Sequence, residues 1–101
     1  EVFTTADFDR WLRKLKDRQG RIRILSRIDR LARGNPGDVK SVGLGNLELR
    51  LTYGPGYRIY YTQRGNRVVL LLWGGDTSSQ QSDIAKAQHL AAEWHTEEDI
   101  K

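Results

Sequence analysis

At 101 residues, 38% hydrophobic and 30% charged, the chain can bury one small core, which excludes a disordered tail and a multidomain enzyme. No apolar run approaches the ~20 residues of a bilayer-spanning helix, and with no cysteine and no secretory leader pattern the expected compartment is a reducing cytoplasm, with no disulfide or thiolate metal site. The net charge of +4 is uneven, with ten of 17 basic residues between Arg10 and Arg33 and an acidic end at Glu93, Glu97, Glu98 and Asp99; this suits a polyanionic partner, although solvated helix faces account for the same charges.

In chain order, Val2, Phe3 and Thr4 read as the tail of a short strand, and Thr4 or Thr5 as the cap of a helix. Phe8, Trp11, Leu12 and Leu15 recur at i, i+3, i+4 and i+7, a core-facing stripe. Gln19-Gly20 interrupts the pattern, which resumes at Ile24, Leu25, Ile28, Leu31 and Ala32 and stops at Gly34-Asn35-Pro36-Gly37. Residues 6–33 are therefore predicted to form a basic helical hairpin.

From Asp38 the period changes to two. Residues 39–42 suggest a short strand and Gly43-Leu44-Gly45-Asn46 a turn. Leu47, Leu49 and Leu51 then alternate with Glu48, Arg50 and Thr52. After Gly54-Pro55-Gly56, Tyr57, Ile59 and Tyr61 alternate with Arg58, Tyr60 and Thr62. If these strands pair, Arg50, Arg58 and Tyr60 share a face, expected to be open, while Tyr57 and Tyr61 enter the core. A turn at Arg64-Gly65-Asn66 leads to residues 68–73, apolar on both faces and hence central. Beyond Gly74-Gly75, Ser78 and Gln81 have capping-box spacing, and Ile84, Ala87, Ala91 and Trp94 recur at helical spacing. His89 and His95 stand at neither i, i+3 nor i, i+4 and read as ordinary helix residues. The expected architecture is a single α+β domain: a helical hairpin and a C-terminal helix packed on one face of an antiparallel sheet of three to five strands.

The run Gly54-Pro55-Gly56-Tyr57-Arg58-Ile59-Tyr60-Tyr61, then Leu70-Leu71-Leu72-Trp73-Gly74-Gly75-Asp76, then Ser79-Gln80 with Asp83-Ile84-Ala85-Lys86-Ala87, resembles the addiction-module killer proteins. These form the HigB-like branch of the RelE/ParE superfamily of type II toxin-antitoxin systems. The resemblance extends to the hairpin and to residues 34–40, nearly the whole chain. It implies an N-terminal strand of which residues 1–4 are the remnant, and the missing initiator methionine predicts a few residues upstream. It also implies a toxin that cleaves mRNA on the translating ribosome without metal or cofactor and is neutralised by a co-expressed antitoxin of helix-turn-helix type. Operator DNA would be met only through the antitoxin complex.

Cleavage by the 2′-hydroxyl route needs proton transfer and cations that stabilise a charged phosphorane. Arg58, and second Arg50, suit the cation role because a guanidinium fork matches phosphate oxygens. Tyr60 suits proton donation or base stacking. Asp76, Gln80 and Lys86 are the candidate substrate contacts, although helix capping explains Asp76 and Gln80 equally well. Where the family commonly has Gly-Gly-Asp-Lys, this chain has Thr77, so one candidate cation is missing. Arg58→Ala is expected to relieve growth arrest while leaving the fold intact. Two other readings stay open: a gyrase inhibitor of ParE type, and a non-catalytic module that binds an antitoxin or nucleic acid.

Overall fold

The computed structural model describes residues 1–65 and 68–100, with side chains through Trp94. Eight regular elements follow one another: β1 (Val2–Thr4), α1 (Ala6–Lys14), α2 (Arg18–Ala32), β2 (Val39–Gly43), β3 (Asn46–Arg50), β4 (Arg58–Arg64), β5 (Val68–Gly75) and α3 (Gln80–Ile100), with a 3-10 turn at Thr77–Ser79 before α3. The strands form one sheet in the order β1-β5-β4-β3-β2.

Local chemistry sets the ends of the first helices. Thr5 caps α1 by accepting from the Phe8 amide, and its hydroxyl donates to the Leu72 carbonyl, tying helix to sheet. The helical break comes earlier than Gln19-Gly20, at residues 15–17, because Asp17 caps α2 by accepting from the Gly20 amide. Gly20 therefore lies inside α2, where the absence of a side chain serves packing: a Cβ there would fall 2.6 Å from the Tyr57 ring. Tyr57 closes this corner by donating its hydroxyl to Asp17 at 2.7 Å.

Two departures from the expected sheet matter for function. First, β1 is a full member that pairs with β5 in parallel, Val2 with Val69 through Thr4 with Leu71, so the sheet is mixed, whereas the β2-β3-β4-β5 meander is antiparallel as expected. Second, the helices cover both faces. On one side Phe8, Ile24 and Leu31 of the hairpin pack with Leu49, Leu51, Tyr57, Ile59, Tyr61, Val69 and Leu71. On the other, Ala87 and Ala91 of α3 pack with Tyr60, Leu70 and Leu72. Burying a leucine contributes roughly 1.5–3 kcal/mol, so leaving Leu70 and Leu72 under water would cost more than covering a few polar neighbours.

A β-bulge marks the middle of β5. Tyr60 pairs with Trp73 and Tyr61 with Leu71, leaving Leu72 as the extra residue, and consequently Leu72 and Trp73 both lie on the α3 side. The next residue returns to the hairpin side, where a Cβ on Gly74 would sit 2.3 Å from the Trp11 ring.

Candidate functional site

Pairing of Glu48 with Tyr60 and of Arg50 with Arg58 puts these four residues on one face at the β3-β4 end of the sheet. The shared face was legible in the alternation; its openness is corrected by α3. Tyr60 is 0% exposed, and its hydroxyl makes no well-formed hydrogen bond. Burial first, and then the neighbouring Glu48 carboxylate, push its pKa up. A neutral phenol under a helix neither stacks on RNA nor donates to a substrate at the surface, so Tyr60 is a core residue.

Glu48, which sequence reasoning passed over, is the hub. Although 0% exposed, it accepts from Arg58 Nη1 at 3.1 Å through one oxygen and from Gln80 Nε2 at 2.9 Å through the other. A buried carboxylate needs such partners. The available signal was an acid alternating onto the same face as two arginines. Arg58 is thereby anchored with its side chain 17% exposed. Its second terminal nitrogen faces the exposed Thr77 hydroxyl at 3.4 Å, near the limit of a hydrogen bond and readily exchanged for a better acceptor. Arg50 holds Asp38 through a fork of two 3.3 Å contacts at the surface.

Of the expected substrate contacts, Gln80 joins this cluster through Glu48. Asp76 is occupied as a cap: its Oδ1 accepts from the Ser78 amide at 2.9 Å and the Ser78 hydroxyl at 2.5 Å. The Ser78/Gln81 capping box is thereby replaced by an aspartate cap on the 3-10 turn. Lys86 turns to Trp73, with its Nζ 3.7 Å from the ring centroid. Asp83, also unforeseen, is buried and accepts from Trp73 Nε1 at 2.8 Å and the Ser79 hydroxyl at 2.5 Å, fixing the start of α3 on β5. His89 is exposed on α3, 3.0 Å from Glu93; the side chains of His95, Glu97, Glu98 and Asp99, and Asn66 of the expected turn, lie outside the described residues. Among the described residues no group of three potential metal ligands occurs.

The basic hairpin contributes to the same corner. Arg27 reaches across to donate to the carbonyls of Arg50 (2.8 Å), Pro36 (2.8 Å) and Asp38 (3.3 Å). Burial, and next the nearby Arg30 charge, lower its pKa from the ordinary value. Arg23, Arg27 and Arg30 line an open cavity beside Thr52 and Tyr53 in the loop between β3 and β4. Arginines thus flank the ends of β3 and β4 on both sides, Arg23, Arg27 and Arg30 on the hairpin side and Arg50 and Arg58 on the face shared with Tyr60.

No family model matches the chain. Over 93 residues, 92% of this chain and 94% of the relative, it is 47% identical to a protein of Haemophilus influenzae, strain Rd, named only as an uncharacterized protein. Near-complete coverage of both chains at that identity places them together: the chain belongs to the same family as this H. influenzae protein.

Proposed function

We propose that the chain is a RelE/ParE-type toxin of a type II toxin-antitoxin pair, a cytoplasmic protein that cleaves mRNA on the translating ribosome and is neutralised by a cognate helix-turn-helix antitoxin. The observation that carries this reading is Arg58, held by the buried Glu48 while its second terminal nitrogen keeps only a long contact to the exposed Thr77 hydroxyl, with Arg50 beside it on the same face. An arginine fork suits the oxygens of a phosphate backbone. In this reading Arg58, held by Glu48, exchanges its long Thr77 contact for a phosphate oxygen and stabilises charge as the 2′-oxygen bonds to phosphorus and the bond to the 5′-oxygen breaks, the proton lost by the 2′-hydroxyl being balanced by one taken up, through solvent, at the departing 5′-oxygen. Arg50 widens the contact. Tyr60 has no part in it.

A specific observation favours a second reading, in which the chain binds without cutting, either as an inhibitor of gyrase or as a nucleic-acid module. Near Arg58 the described carboxylates and phenol are engaged or buried: Glu48 by Arg58 and Gln80, Asp76 by Ser78, and Tyr60 beneath α3.

Induced expression followed by mapping of RNA 5′ ends separates the two. Codon-phased cuts and growth arrest that disappear in Arg58→Lys, which keeps the charge but loses the fork, support the nuclease. Intact transcripts with altered plasmid supercoiling would overturn it in favour of gyrase, and growth arrest with neither change would leave binding alone.

A further inference from the structure

The cavity between α2 and the loop joining β3 to β4 has a volume of about 520 Å³, within the range of ordinary ligand sites. Its walls carry Arg23, Ser26, Arg27, Arg30, Thr52 and Tyr53, with no carboxylate among the lining residues. The three arginines stand at i, i+4 and i+7 on one helical face, a row about 10 Å long at the rise of an α-helix. Arg27 is committed to three backbone carbonyls and forms the floor, and its Nε is buried without a partner. Arg23 and Arg30 are exposed and take part in no ion pair among the described residues. The Arg23 guanidinium lies over the Tyr53 ring, 4.4 Å from its centre, a cation–π pair whose two members both line the cavity.

We infer that this cavity binds the backbone of single-stranded RNA, with Arg23 and Arg30 taking consecutive phosphates and the Arg23-Tyr53 pair receiving a splayed base. Exposed hydroxyls at Ser26 and Thr52 supply donors for the remaining phosphate oxygens. A carboxylate peptide would satisfy the charge but gains nothing from the cation–π pair, whereas a nucleotide uses both. The inference rests on the RNA-directed reading of the chain and not on cleavage.

The test is fluorescence anisotropy of the full chain with a fluorescein-labelled RNA decamer of mixed sequence, across a series of KCl concentrations. Arg23→Gln/Arg30→Gln is expected to weaken binding about tenfold and to reduce the slope of log affinity against log salt by roughly 1.4, two phosphates at about 0.7 each. Arg13→Gln/Lys16→Gln removes the same charge from exposed positions away from the cavity and is expected to change affinity less than twofold. Both doubles should melt within a few degrees of the wild type. Equal weakening by the two doubles would show charge without a site and overturn the inference, as would unchanged binding by the cavity double. Displacement of the RNA by a decaglutamate peptide at equal concentration would reassign the cavity to an acidic protein segment. Failure here is distinguishable from failure of the nuclease: codon-phased cuts by the wild type together with RNA affinity unchanged in Arg23→Gln/Arg30→Gln sink the cavity alone. RNA binding that depends on the cavity without any cuts sinks the nuclease alone.

Discussion

Replacing Arg58 by alanine leaves the Glu48 carboxylate, 0% exposed, with the Gln80 amide as its remaining hydrogen-bond donor. Breaking a buried ion pair by removing one partner costs about 3–5 kcal/mol. Because Arg58 keeps some exposure, 17%, the low end applies, about 3 kcal/mol of a total of about 5–15 for a domain of this size. At ~4–8 °C per kcal/mol, the melting temperature should fall by roughly 12–24 °C. Arg58→Ala is therefore not the fold-neutral substitution expected from the alternation of the strands. Adding Glu48→Gln removes the stranded charge while keeping an acceptor for Gln80, and should recover at least half of the loss. Urea and thermal unfolding followed by circular dichroism on the wild type, both singles and the double give the coupling energy directly. A loss below about 1 kcal/mol in Arg58→Ala, or no recovery in the double, would refute the view that Glu48 is a charged anchor. The double variant also repairs the functional assay, since it lacks the guanidinium yet retains the fold.

Two other outcomes follow from geometry. Leu44 sits at φ 54° in the turn between β2 and β3 and is 80% exposed, so Leu44→Asn should relieve left-handed strain without losing packing and gain about 0.5–1 kcal/mol; an unchanged or lower midpoint in urea would contradict this. Burial, and then the Asp17 hydrogen bond, push the Tyr57 pKa up to about 12. The folded state thus keeps a proton that the unfolded chain releases near pH 10. Stability from this group is whole below pH 10 and drains away as pH rises to 12, so Tyr57→Phe should show a shallower alkaline decline than the wild type in unfolding midpoints measured from pH 9 to 12. Equal slopes would rule that out.

Much of the fold was legible because short turns and strict alternation leave few choices. Leu47, Leu49 and Leu51 went to the core side, and Tyr57 and Tyr61 with them, as their period required. The α3 face was misjudged although its signal stood in the strand read as central. Leu70 and Leu72 alternate with Val69 and Leu71, so two greasy faces needed two covers, and the hairpin could supply only one. Alternation alone treated Glu48 as solvated; its burial depends on Arg58 and Gln80, 10 and 32 residues away, arriving together. The arginine cavity was hidden for a different reason. Charge density in α2 was plain, but which arginines face the loop depends on Arg27 reaching three carbonyls that no local pattern specifies.

Parallel pairing of β1 with β5 has a consequence for synthesis. Thr4 aligns with Leu71, a partner 67 positions later, so at about 5–20 residues per second the early strand waits on the order of ten seconds before its match is made. Meanwhile α1, whose cap also contacts Leu72, has no sheet to dock on. Nascent chains halted before Leu71 should therefore hold a hairpin without its platform, exposed to chaperones and proteases until the last strand arrives and the whole domain closes in one step.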